Sequence, residues 1–380
     1  MAKRTVRRLA DLLVGLGMVT EDRAAAVLAD IGSWRKEHLD EELDERDVFG
    51  WLPEFGVAVP VHIEDVDFVA DYYRYLLEEE VTPCTGGAVV LSDVVLLRDE
   101  DGYEYLHFLR NGEPVWWQVE HESEDYADTA ALSGQFGDLD PGGDDPRRFY
   151  QLRPEKVGAQ DDLYVLASPD QARALHEEFG LNFYDLDAAP PPHGEPPTAQ
   201  PGTPEWYAQE DRRHLTAPAR AFLDRWRSGM AGALDEWRAR FLPADFPFDF
   251  SLASLGALEA LVRDRYTGWS AVQAAAGEPF VEGAVRYVGE TLIRTGPGHW
   301  TYRDTADPLY GGVPSVCSDT PAAFRGIVVP LYALSRAAED REPGVLAASA
   351  EDLRDAAVRY AKALRALDAI RRPGAGPAEG

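Results

Sequence analysis

AVVLSDVVLLRDEDGYEYLHFLRNGEPVWWQVE, residues 88–120, decides the fold class of the first half of the chain. Valine and leucine fill 88–97, and Asp99, Glu100, Asp101 and Gly102 then bring the chain to a turn. Residues 103–109 alternate apolar and polar side chains, the period of a strand with one face buried. Asn111-Gly112 suits a two-residue hairpin because both residues tolerate positive φ. Residues 114–120 then complete a third strand, so the pattern predicts three antiparallel strands and an α+β module.

Working outward, 64–80 reads as a helix with Val66, Val69, Ala70, Tyr73 and Leu76 on one face, and 51–63 reads as β-like. Further upstream, Leu9, Leu12, Leu13 and Leu16 recur at helical spacing and Thr20 caps a second helix. Residues 1–48 are therefore expected to form an N-terminal helical hairpin, ending in the acidic run 40–47. Downstream, the Gly- and Asp-rich stretch 133–148 reads as a surface loop, followed by strands at 149–152 and 163–167. Ser168 with Pro169 behind it opens a helix that Gly180 ends. The module expected over 49–187 is acidic and α+β, a mainly antiparallel sheet flanked by helices.

Residues 188–204 hold Pro190, Pro191, Pro192, Pro196, Pro197, Pro201 and Pro204 and read as an extended, semi-rigid linker. The module over 205–372 is expected to be mostly α-helical. Helical periodicity runs through 217–241, 251–266, 279–294, 321–338 and 350–370, with a small β-element at 299–303 and 313–317. Residues 373–380, rich in Gly, Pro and Ala, read as a disordered tail.

The formal net charge is -30. Residues 1–186 carry 16 Lys+Arg against 41 Asp+Glu, a net -25, and the rest 21 against 26, a net -5. An acidic field of that size repels phosphate backbones, which argues against nucleic acid as a partner of the first module. It serves solubility, or it forms an electrostatic docking face for a basic protein. No run of about eighteen apolar residues occurs, so no membrane partner is expected. Lys3, Arg4, Arg7 and Arg8 precede an apolar stretch that Asp11 interrupts, the mark of an amphipathic helix rather than a secretory signal. Cys84 and Cys317 stand far apart without metal or redox spacing; a reducing cytoplasmic setting fits best, a disulfide between the modules being the alternative.

No phosphate-binding loop, dinucleotide fingerprint, nucleophile elbow, zinc-protease helix or EF-hand loop is present. No cofactor and no metal is implied. In the first module Trp116 and Trp117 are followed by Glu120, Glu122, Glu124 and Asp125. Adjacent strand residues face opposite ways, so either one indole is exposed among carboxylates as a binding anchor, or both faces of the sheet are covered. In the second module Glu290 and His299 are the candidates for acid–base work, or for a structural polar pair.

Phe248-Asp249-Phe250-Ser251, Ser254-Leu255, Leu258-Glu259, Tyr287-Val288-Gly289-Glu290, Gly298-x-Trp300 and Val329-Pro330 resemble a pattern recurrent in actinobacterial proteins of unknown function. The resemblance covers 248–336 and implies an interaction or toxin-immunity setting, with no catalytic residues to carry over. Two functional expectations result. One is a non-enzymatic protein-binding factor, of immunity or regulatory type, whose acidic first module docks a basic protein partner. The other is an enzyme with a carboxylate/His acid–base site, Glu290 with His299 or Glu120 with His121.

Overall fold

In the strand Asp161–Ala167, Leu163, Val165 and Ala167 enter one apolar core while Tyr164 and Leu166 enter another. The two-residue period of a strand makes this sorting automatic, and a strand buried on both faces reads as an unbroken apolar run. The computed structural model describes residues 3–35, 39–62, 66–153, 161–188, 194–305, 309–340 and 342–372. It forms two units, Met1–Pro190 and Pro191–Gly380. The expected tail 373–380 and the proline run 190–192 lie outside the described residues.

The first unit is α+β. It runs α1 (Val6–Gly15), α2 (Glu21–Arg35), α3 (Glu45–Glu54), β1 (Ala58–His62) and α4 (Val69–Arg74). Helix α4 continues through a π-helical stretch, Tyr75–Val81, into α5 (Thr82–Cys84). Strands β2 (Leu91–Arg98), β3 (Glu104–Arg110) and β4 (Glu113–Val119) follow, then α6 (Thr129–Gln135), β5 (Arg148–Gln151), β6 (Asp161–Ala167) and α7 (Pro169–Phe179). There are two antiparallel three-stranded sheets, ordered β1-β6-β5 and β2-β3-β4. Asn111 and Gly112 take φ of 52° and 84°, the left-handed pair the hairpin between β3 and β4 requires. Helices α1, α2, α3 and α7 share a core with one face of β1-β6-β5; α4, α6 and β2-β3-β4 share the other.

Two sequence expectations fail here for local reasons. Residues 51–63 are not all β-like: α3 extends to Glu54, because Asp44 and Asp47 form a reciprocal capping box that starts a helix inside the acidic run. Residues 133–148 are not simply a loop. Asp128 caps α6, and a 3₁₀ turn, Phe136–Leu139, puts Phe136 and Leu139 into the core, with Phe136 stacked on Tyr164 at 3.8 Å.

The second unit is mostly helical: α8 (Pro204–Arg213), α9 (Ala217–Ser228), α10 (Met230–Phe241), α11 (Leu252–Arg265), α12 (Trp269–Ala274) and α13 (Pro279–Thr295). A small antiparallel sheet of β7 (Gly298–Thr301), β8 (Ser315–Ser318) and β9 (Ile327–Val328) follows, then α14 (Pro330–Asp340) and α15 (Val345–Arg371). The expected helix over 321–338 is shorter, because β9 occupies its first part and the helix opens at Pro330. Between 194 and 199 the proline-rich segment lies along α8, with Gly194 N donating to Arg213 O at 2.7 Å and Thr198 N to Gln209 Oε1 at 2.8 Å.

Helix α13 is the axis of this unit. Eleven of its residues are buried, and two glycines let indoles approach its backbone. A β-carbon on Gly283 would overlap the Trp237 ring, and one on Gly289 would overlap the Trp300 ring. Tyr287, between them, gathers Phe246, Phe248 and Phe250 around its ring, and its hydroxyl meets Ser254 Oγ at 2.7 Å.

Candidate functional site

His299 on β7 is held between two carboxylates. Its Nδ1 lies 2.6 Å from Asp319 Oδ1 and its Nε2 3.2 Å from Asp211 Oδ2. Asp211, on α8 and 5% exposed, also accepts from Thr301 Oγ1 at 2.8 Å and pairs with Arg325 at 3.0 Å. Residues 299 and 301 share a face of β7, which is why both reach the same carboxylate.

Burial by itself would push the imidazole pKa down, but the hydrogen bonds to Asp211 and Asp319, with their charges, outweigh it and hold His299 at about 9. Burial would push Asp211 up; the His299 hydrogen bond, the Arg325 charge and the Thr301 hydroxyl instead hold it well below the usual carboxylate range. At neutral pH the imidazole is therefore a cation with both nitrogens donating. It has no lone pair with which to accept a proton, so in this state it cannot serve as a general base.

The same cluster has a metal-like aspect. Ligand atoms of Asp211, His299 and Cys317 lie within 4.8 Å of one another. Cys317 is a buried free thiol whose pKa burial pushes up to about 12. A divalent ion would have to displace protons from both the imidazole and the thiol and sit beside the Arg325 cation. The donor set fits a self-satisfied ion network better than a metal centre, and it ties α8 to β7 and to the segment after β8.

Glu290 does not meet His299. Its Oε1 accepts from Trp300 Nε1 at 2.9 Å and its Oε2 lies 3.7 Å from Arg294. Glu120 and His121 do not pair either: His121 is bracketed by Glu104 Oε2 at 3.0 Å and Tyr73 Oη at 2.9 Å, while Glu120 is exposed. Asp211, Asp319 and Arg325, which define the His299 environment, escape sequence reasoning. The available signal is Asp211 itself, a carboxylate one helical turn from Tyr207 on the buried face of α8.

In the first unit the second alternative is the one found: Trp116 and Trp117 are both buried, so neither is an exposed binding anchor. Trp117 packs against Phe108 and donates from Nε1 to Asp138 Oδ2 at 3.0 Å; Trp116 packs against His107, its cross-strand neighbour, at 4.6 Å. Both faces of β4 are covered at these positions. Glu120, Glu122, Glu124 and Asp125 are exposed. The aromatic side chains beside them are Phe68 and Tyr126, 64% and 43% exposed. Two backbone hydrogen bonds, Val66 N to Asp125 O and Val69 N to Glu124 O, both 3.1 Å, fasten the segment carrying Phe68 to the segment carrying Tyr126.

Compared with known proteins, the chain matches no family model, no curated protein and no solved structure. The residues noted over 248–336 have a packing meaning here: Phe248, Phe250 and Ser254 all contact Tyr287, Gly289 admits Trp300, and Glu290 receives its indole. Among the described residues no helix is long and apolar enough to cross a membrane.

Proposed function

We propose that the chain is a protein-binding factor whose acidic first unit docks a cationic polypeptide on the surface around Phe68 and Tyr126. The supporting observation is the exposure of these two rings on adjoining, hydrogen-bonded segments, flanked by exposed Asp67, Asp71, Glu122, Glu124 and Asp125. Phe68 occupies the N-cap of α4 and makes no side-chain cap, at a position where Ser, Thr, Asp or Asn would stabilise the helix. An exposed ring that does nothing for its own helix, set among carboxylates, suits a partner presenting an apolar residue between Lys or Arg side chains. Such a factor fits an immunity or regulatory role, in which a basic partner is held by charge and anchored by a few rings.

The reading is tested with the full chain and a synthetic peptide of alternating Lys and Leu, followed by hydrogen–deuterium exchange. Protection concentrated in 66–71 and 122–126, and weakened between low and high ionic strength, is the expected result. Protection spread evenly over the acidic residues, or insensitive to salt, would overturn it. Phe68→Ser with Tyr126→Ser should lower the affinity by roughly tenfold or more if the rings are anchors.

A further inference from the structure

A cavity of about 490 Å³ opens in the second unit beside α9. That volume falls within the roughly 300–1,000 Å³ of small-molecule sites. Phe222 and Trp226, one turn apart on α9 with rings 19° from parallel, line it together with Val313 and Pro314. Arg225, Glu282 and Arg286 supply its charges.

The charges are unevenly committed. Arg286, only 8% exposed, donates twice to Glu282 Oε1, at 2.8 and 3.3 Å, and once to Trp226 O at 3.0 Å. Its guanidinium also lies 3.6 Å from the centre of the Trp226 ring. The Arg286–Glu282 pair is thus neutral as a whole and fixes the indole in place. Arg225 is exposed and makes no ion pair or side-chain hydrogen bond among the described residues, which leaves the cavity with one net positive charge in a protein of net charge -30. Trp226 is 7% exposed, and its buried Nε1 has no hydrogen-bond partner among the described residues.

We propose that this cavity binds a small monocarboxylate with a flat apolar body. Arg225 pairs with the carboxylate, Trp226 and Phe222 contact the apolar part, and the pre-set Arg286–Trp226 stack keeps the wall formed before the ligand arrives. The charge count selects a monoanion, because a dianion would leave one charge uncompensated beside Glu282. The site is independent of the docking surface on the first unit.

The test is isothermal titration of the full chain with 2-naphthoate and with its neutral analogue 2-naphthamide. One-to-one binding of the carboxylate with Kd of about 1 mM or tighter is expected, with the amide at least about tenfold weaker. Arg225→Gln changes an exposed residue and should weaken 2-naphthoate about tenfold while leaving 2-naphthamide unchanged. Lack of saturable 2-naphthoate binding up to about 10 mM, equal affinity for acid and amide, or an Arg225→Gln variant that binds 2-naphthoate as the parent does, would each overturn the proposal.

Discussion

Trp300 fills the space that a β-carbon on Gly289 would occupy, and its indole nitrogen donates to Glu290, the very next residue of α13, at 2.9 Å. One glycine and one carboxylate on consecutive positions thus receive the two ends of the same side chain. The relationship fixes β7 against α13 and with it the opposite orientation of His299, since neighbouring strand residues point to opposite faces.

Replacing Gly289 by alanine should destabilise the second unit by about 1–3 kcal/mol, because the ring must move or the helix must shift, against a helix-propensity gain of only about 1 kcal/mol. Gly256 provides the contrast. It is exposed within α11 and a β-carbon there meets nothing within 4 Å, so Gly256→Ala should stabilise by about 0.5–1 kcal/mol. Denaturant midpoints of the two variants should move in opposite directions. A Gly289→Ala midpoint equal to or above the parent's would mean that Trp300 does not depend on the glycine.

The His299 network carries a pH signature. Its folded pKa of about 9 stands above the ordinary 6.5, so its contribution is complete below about pH 6.5 and is lost as pH rises through about 9. Asp211 is shifted the other way: its contribution is present above its ordinary 3.8 and is lost as pH falls toward the lower folded value. Melting midpoints should therefore decline between about pH 6.5 and 9, and Asp319→Asn should flatten that decline by removing one of the two hydrogen bonds that raise the imidazole. An unchanged slope in Asp319→Asn would show that some other group titrates.

The features readable from sequence were those whose cause is local. Asn111-Gly112 forms its hairpin through the φ preferences of two residues, and the Ser168–Pro169 start and Gly180 end of α7 follow from capping alone. The pairing of β1 with β6 joins residues about a hundred positions apart, and no local pattern announces it. Helix α3 was hidden because its capping carboxylates sit in a run of like residues and Pro53 falls inside the helix. At the His299 network the histidine stands out in the sequence, whereas its partner Asp211 lies 88 positions earlier on a helix opening at the end of a proline run. Assigning Glu290 to His299 overlooked strand alternation: only one of His299 and Trp300 can face α13, and the glycine notch selects the indole.

Glu259 is a second buried carboxylate with a structural task. It is 1% exposed and accepts from Gly344 N at 2.8 Å, Leu346 N at 2.6 Å and Arg263 Nη2 at 3.1 Å. Gly344, the N-cap of α15, has φ of 93° and offers no side-chain cap, so Glu259 supplies from α11 the acceptor the first turn lacks. Glu259→Ala should cost about 2–4 kcal/mol and speed amide exchange at Gly344 and Leu346 specifically. Exchange at those two amides that stays as slow as in the parent would show that another acceptor takes over.

The aromatic side chains of the first unit divide into two groups that mutation should separate. Trp117 lies in the core with its nitrogen bonded to Asp138, so Trp117→Ala should cost about 3–5 kcal/mol through the cavity it leaves and the loss of that hydrogen bond. Phe68 and Tyr126 bury little, and their replacement by serine should change stability by no more than about 0.5 kcal/mol. For Phe68→Ser any change should be in the stabilising direction, because serine at the α4 N-cap can accept from the first-turn amides. Chemical denaturation of the three variants decides the matter. A loss of more than about 1 kcal/mol in Phe68→Ser would show that the ring serves the fold of the first unit, and the case for keeping it at the surface for a partner would fall with it.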